Sequence, residues 1–192
     1  LAHLDDGNVW ITHLGMTGRW TILGQKRQPG DFYYAEPTDP KHTHVVLETE
    51  AGVRLEFNDP RRFGYMDLIA EKDLDTHPFF KGMGPEPLGN SFHEPYLHAA
   101  LKGKKTNIKA ALLDQRVVAG LGNIYVVEAL HRAGIAPAKP AGTISAQRLD
   151  KLFLAIRAVL EEAIEAGGST LSDYAGVDGA QGGFQHRFRV YD

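Results

Sequence analysis

The sequence predicts an α+β fold: an antiparallel β region followed by a helical one. Three observations predict it. Apolar and polar residues alternate through most of the first 70 positions, and apolar residues recur at three- and four-residue spacing between 93 and 168. A stretch rich in glycine and proline separates the two patterns. With 192 residues and 43% hydrophobic content, the chain can bury one large core or two small ones. Its 23% charged content excludes a disordered or fibrous chain.

In chain order, "NVWITHL" alternates, with Val9, Ile11 and His13 on one side and Trp10, Thr12 and Leu14 on the other. "HVVLETEAGVRLEF" reads as a hairpin turning at Glu50-Ala51-Gly52, with Val45, Leu47 and Thr49 facing Phe57, Leu55 and Val53. Antiparallel strands joined by short turns predict a sandwich or a small barrel. Residues 71–92, including "GMGPEPLGNSF", read as a linker.

Three helices follow. "NIKAALLDQ" gives a short one, and "NIYVVEALHRAG" gives a second that ends at Gly134. The third starts at an N-cap Ser145 and carries Leu149, Leu152, Phe153, Ile156, Val159, Leu160 and Ile164 at helical spacing before stopping at Gly167-Gly168. Between the first two, "RVVAGLG" is longer than the tight turn of a common helix-turn-helix. "GVDGAQGGF" has four glycines in nine residues and predicts a mobile loop, and residues 186–192 return to a strand pattern. Both ends of the chain read as internal to a longer protein.

Composition excludes several functions. The net charge of −3 leaves no bulk basic character, so nucleic-acid binding has to rest on local clusters. Without cysteine there is no disulfide framework and no thiolate metal site. No apolar run approaches the roughly 20 residues of a membrane span, and no signal peptide opens the chain, so the default location is the cytoplasm.

The motifs narrow the reading. "AGLGNIYVVEAL" sets Gly-x-Gly at a helix start, but it lacks the preceding strand and the third glycine of a dinucleotide fingerprint. Its exposed N–H groups favour an anion; the plainer reading is a helix cap using Asn123. Lys102, Lys104, Lys105 and Lys109 lie nearby. Alone they are a solvated face; beside a helix start they suit a phosphate backbone. Asp39, His42 and His44 read as loop residues rather than metal ligands, because no third ligand sits at regular spacing. Met16 stands between Gly15 and Gly18 with little to pack on, which points to a protruding tip. In "NDPRRFGYMDL", Pro60 fixes a loop that carries Arg61 and Phe63; a surface arginine and a buried Phe63 are the plainer alternative.

Together these segments resemble the bacterial formamidopyrimidine-DNA glycosylase/AP lyase family, whose members are also called 8-oxoguanine DNA glycosylases. The resemblance rests on "HLGMTGRW", "DPRRFGYMDL", "GPEPLG", "IKAALLDQRVVAGLGNIYVVEALHRAGIAP" and "GGSTLSDYAGVDG", which occur in family order. It implies a β-sandwich domain over residues 1–80 whose start is missing. A helix–two-turn–helix domain over 81–192 follows, with a lesion-recognition loop near 174–186 and DNA in the cleft between the domains.

Met16, Arg61 and Phe63 match the side chains that fill the duplex where a damaged nucleotide is flipped out. Lys109 and Asn123 match phosphate ligands. Glu128 matches an acid of the helix motif with a supporting role. Gly182, Gly183 and Phe184 fall in the loop over the everted base. The partner implied is damaged double-stranded DNA, bound by a monomer without a membrane.

The family's nucleophile is an N-terminal proline followed by a glutamate, with a lysine nearby. Leu1 is not proline, so by this resemblance all three lie upstream of Leu1, and the family's four-cysteine zinc finger lies beyond Asp192. The 192 residues alone are therefore expected to bind DNA weakly and cut nothing. The resemblance implies excision of oxidised purines and nicking of abasic sites by β,δ-elimination through a Schiff base. The rivals are an endonuclease VIII-like glycosylase for oxidised pyrimidines and a non-enzymatic damage-binding protein.

Overall fold

The computed structural model describes residues 1–23, 39–169 and 183–191. Its class is α+β, as predicted. The chain forms two compact units: Leu1–Thr76 with Ala166–Gln185, and His77–Glu165 with His186–Asp192.

Among the described residues, the first unit holds two three-stranded antiparallel sheets. One is ordered β1 (Ala2–His3), β2 (Asn8–His13), β6 (Tyr65–Ala70). The other is ordered β3 (Arg19–Leu23), β5 (Arg54–Asn58), β4 (Thr43–Glu48). The hairpin has the register that alternation predicts: Val45 opposes Phe57 and Leu47 opposes Leu55. The turn closes with Thr49 and Val53 bonded, Thr49 N–H donating to the Val53 carbonyl at 2.9 Å. Trp10 of one sheet meets Trp20 of the other edge to face at 5.4 Å, and Trp20 meets Phe57 at 5.2 Å. Trp20 also donates its indole N–H to Thr12 Oγ1 at 3.3 Å. These contacts make the pair of sheets a sandwich, and offset or edge-on rings are the favoured geometry for such a seam.

The second unit contains α1 (Glu94–Leu101), α2 (Ile108–Leu113), α3 (Asn123–Ala133) and α4 (Ala146–Glu165). Helix α1 lies inside the region read as helical but has no Ser, Thr, Asp or Asn at its start. His93 caps it instead, its Nδ1 accepting from Tyr96 N–H at 3.1 Å. At the start of α4, Ser145 accepts backbone bonds from Arg148 and Leu149 as expected of an N-cap residue. Helices α3 and α4 form the main helix pairing. Val126 and Leu130 on α3, and Leu152, Ile156 and Val159 on α4, are buried. Each such side chain contributes about 1.5–3 kcal/mol. Across the same pairing Arg132 forks onto Glu162 at 2.6 and 2.8 Å. Removing two charges from water offsets most of their attraction, so this pair orients the helices more than it stabilises them.

Two sequence expectations fail. Ile164 is 66% exposed, and Ala163 takes the core position. At about 100° per residue, 163 returns to the line of Ile156 while 164 has rotated past it. The C-terminal strand pattern is also not a strand among the described residues. Phe184–Arg187 is a short 3-10 turn, and residues 189–191 donate their N–H groups to the Glu128 carboxylate rather than to a neighbouring strand.

Candidate nucleic-acid interface

The first cluster sits on two loops of the β unit. Residues 14–18 connect β2 to β3, and residues 59–64 connect β5 to β6. Met16 is 66% exposed and Phe63 is 57% exposed, so Phe63 is not a core residue. Arg61 bridges them. Its Nη1 lies 3.4 Å from Met16 Sδ, and its Cζ stands over the Phe63 ring at 4.7 Å. Three side chains separated by up to 47 positions thus form one exposed tip.

Glycine makes this approach possible. A Cβ on Gly15, at φ +64°, would lie 2.6 Å from the Phe63 backbone, and one on Gly18 would lie 2.1 Å from the Leu14 carbonyl.

Beneath the tip lies Asp59, which is 1% exposed. Its Oδ1 accepts from the Thr17 hydroxyl at 2.6 Å and its Oδ2 from Gly64 N–H at 2.7 Å. Arg61 N–H in turn donates to Thr17 Oγ1 at 3.2 Å. Burial pushes the Asp59 carboxyl up. The bonds from Thr17 and from the backbone N–H groups of Gly64, Arg61 and Arg62 outweigh it, and the group titrates below its ordinary 3.8. A lowered carboxylate contributes stability that is present above 3.8 and lost as pH falls through its folded value. The Gly64 amide shift in an NMR pH titration should therefore move with a midpoint below 3.8; a midpoint at or above it contradicts the arrangement.

The second cluster belongs to the helical unit. Asn107 caps α2, accepting from Ala110 N–H at 2.8 Å, and Ile108 N–H donates to the Lys139 carbonyl at 2.8 Å. These bonds tie the start of α2 to the segment that follows α3. Lys109 and Asn123 consequently line one cavity of about 610 Å³, together with Val127, His131, Gly134, Ile135, Pro137, Val190 and Tyr191. Asn123 is not a cap: Gly122 holds that position without a side-chain bond, which leaves the α3 start open. The turn before α3 is closed by Gln115, whose amide donates to the Leu113 and Leu121 carbonyls at 3.1 Å and accepts from Gly120 N–H at 2.7 Å. The lysine run does not converge. Lys104 lines a different cavity of about 550 Å³ with Tyr96, Asp114 and Arg116.

Glu128 is fully buried. Its Oε1 accepts from the N–H groups of Arg189, Val190 and Tyr191 at 2.9–3.1 Å. Val190 and Tyr191 line the Lys109 cavity, so Glu128 shapes one of its walls. Sequence reading assigns Glu128 a supporting role but does not find Tyr191, Thr17, Asp59 or Gln115. Thr17, Asp59 and Tyr191 matter through contacts across the fold, which local patterning does not encode, and Gln115 through bonds within its own turn.

In the expected lesion loop, Gly182 and the rest of 174–182 lie outside the described residues. Gly183 N–H donates to the Ala166 carbonyl at 2.8 Å. Phe184 is fully buried, and its N–H donates to the Gly168 carbonyl at 3.0 Å. No group of three or more His, Asp or Glu side chains converges as a metal site among the described residues, and the chain has no cysteine; these residues do not supply a zinc centre. Among the described residues no helix is long and apolar enough to cross a membrane.

Comparison with known proteins places the chain in a family. Residues 1–66 match the formamidopyrimidine-DNA glycosylase N-terminal domain, and residues 83–175 match the formamidopyrimidine-DNA glycosylase H2TH domain. The formamidopyrimidine-DNA glycosylase of Phenylobacterium zucineum is 58% identical over 100% of this chain and 68% of that protein. That of Dinoroseobacter shibae is 58% identical over 100% of this chain and 67% of that protein.

Among solved structures, the MutM (Fpg) protein of Thermus thermophilus superposes with a TM-score of 0.83 at 42% identity, covering 98% of this chain and 66% of that one. Lactococcus lactis Fpg, crystallised with abasic-site DNA, gives 0.80 at 32% identity over 97% of this chain and 64% of that one. The chain thus spans about two thirds of the length of its relatives. With both of its units matched to the family's domains, the chain belongs to the formamidopyrimidine-DNA glycosylase family.

Proposed function

We propose that the protein carrying these residues acts in base-excision repair, removing oxidised purines such as formamidopyrimidine and 8-oxoguanine from double-stranded DNA and nicking the abasic site. The observation that carries the reading is the exposed tip in which Met16, Arg61 and Phe63 touch. Flipping a nucleotide out of a duplex leaves a hole that costs a few kcal/mol of stacking and pairing. The Phe63 ring replaces part of the stacking. The Arg61 guanidinium donates to the orphaned base, and Met16 fills the remaining space. Lys109 and Asn123 hold phosphates without reading bases. Glu128 keeps the Val190–Tyr191 wall of their cavity in place. Gly182 and Gly183, ahead of the buried anchor Phe184, belong to the segment over the everted base.

The chemistry proposed for the whole protein is attack of a terminal amine on C1′ of the damaged nucleotide. The N-glycosidic bond breaks, the base leaves, and a Schiff base forms. That imine then takes up electrons during β,δ-elimination of the flanking phosphates. The attacking proline, its glutamate partner and the zinc finger are not among these residues. The protein works as a monomer in the cytoplasm, on the bacterial nucleoid.

Excision kinetics on duplexes with one lesion test the reading. The complete protein should release 8-oxoguanine faster opposite cytosine than opposite adenine. Arg61→Ala should reduce that preference by about 1–3 kcal/mol. Release of oxidised pyrimidines instead would favour the endonuclease VIII-like rival, and binding without cutting would favour the damage-binding one. For the phosphate ligands, Lys109→Ala should weaken binding to damaged and intact duplex alike, and the slope of log K against log salt should shrink by about one. A loss confined to lesion DNA, with an unchanged slope, would contradict the assignment.

A further inference from the structure

We propose that Thr17 and Asp59 act as positioning residues, forming a buried clip that holds Met16, Arg61 and Phe63 as one preassembled wedge and thereby sets the rate of base extrusion. The proposal rests on the reading that these three side chains enter the duplex.

The clip joins two loops that share no strand pairing at the tip. Thr17 follows Met16 directly, so its side chain governs the loop that presents the methionine. Its hydroxyl is used twice, donating to Asp59 Oδ1 at 2.6 Å and accepting from Arg61 N–H at 3.2 Å. Asp59 completes the loop from below. Its other carboxylate oxygen accepts from Gly64 N–H at 2.7 Å, and its carbonyl accepts from Arg62 N–H at 3.3 Å. The clip is tied to the segment that leads into and begins β4: Asp59 N–H donates to the His42 carbonyl at 2.9 Å, and the His44 ring nitrogen lies 2.9 Å from the Asp59 carbonyl. Thr17 is 8% exposed and Asp59 1%, so water does not compete for these bonds.

Two features show that the loop is held rather than relaxed. Arg62 has φ +57°, in the left-handed region that a long side chain rarely adopts. Met16 and Phe63 also stay exposed instead of folding back onto the sandwich. Side chains ordered before contact lose less freedom when they insert than free ones do, which is how preorganisation speeds a docking step.

The test is stopped-flow fluorescence on the complete enzyme, with a fluorescent base analogue beside a single lesion. Thr17→Val keeps the shape and removes the hydroxyl, Thr17→Ser restores it, and Asp59→Asn removes the charge. Affinity for intact duplex is measured on each as a check of folding. Thr17→Val and Asp59→Asn should slow extrusion about tenfold, the loss of one charge-assisted hydrogen bond, while intact-duplex affinity holds and Thr17→Ser matches wild type.

Phe63→Ala is run alongside. If it slows extrusion while Thr17→Val keeps the wild-type rate, the clip is overturned and the wedge stands. Thr17→Ser as slow as Thr17→Val also overturns the clip, because the hydroxyl is then not what acts. If neither Phe63→Ala nor Thr17→Val slows extrusion, the insertion reading fails and takes the clip with it.

Discussion

Replacing Glu128 by alanine should cost the complete protein about 2–4 kcal/mol of stability, the cost of losing charge-assisted bonds and leaving their buried partners unmatched. The magnitude follows from geometry. One carboxylate, fully buried, serves three consecutive backbone N–H groups, with Arg189 reached by both oxygens at 2.9 and 3.1 Å. No other side chain is bonded to those N–H groups among the described residues, so the segment loses its fastening to α3. Glu128 also contributes a favourable charge to Arg132, which the substitution removes. Glu128→Gln should cost less, because the amide oxygen can still accept. Urea unfolding checks the stability. Affinity for intact duplex should fall with it, since Val190 and Tyr191 wall the cavity that Lys109 and Asn123 share. A loss below about 1 kcal/mol would mean that water replaces the carboxylate easily and that the segment is held elsewhere.

Much of the fold was legible because it depends on local period. Val45, Leu47, Leu55 and Phe57 alternate, and the pairing they imply is the pairing found. Leu149, Leu152, Phe153 and Ile156 repeat at helical spacing, and all four are buried. Part of what was illegible depends on partners distant in sequence, and part on local cap and helix-start detail. The 186–191 segment alternates like a strand, but its N–H groups meet a glutamate 61–63 positions away. Helix α1 is capped by His93, a residue type that does not mark a cap, although Glu94 and Pro95 in its first turn suit a helix start. Lys104 and Lys109 look equivalent in "LKGKKTNIK", yet they face different cavities, because α2 begins between them and turns Lys109 away.

The tip shows both sides of this. The Gly-Met-Thr-Gly and Asp-Pro-Arg-Arg-Phe-Gly runs point to loops with protruding side chains. That the two loops meet, and that Thr17 and Asp59 bind them together, is visible only in three dimensions.

Whether the tip enters the duplex is decided by Phe63→Ala in the complete protein. Stacking of an aromatic ring on a base is worth about 1–3 kcal/mol, or roughly 5- to 150-fold in rate if it is realised while the base leaves the stack. The cation-π contact of Arg61 on Phe63 is lost as well, leaving the guanidinium less well aimed at the orphaned base. Intact duplex offers no hole to fill, so nonspecific affinity should barely change. The measurement is the rate of fluorescence rise from a base analogue beside one lesion. The expected rise is slowed at least about fivefold in Phe63→Ala, with intact-duplex affinity preserved. A rise as fast as wild type would contradict it and leave Phe63 an exposed ring without a role in extrusion.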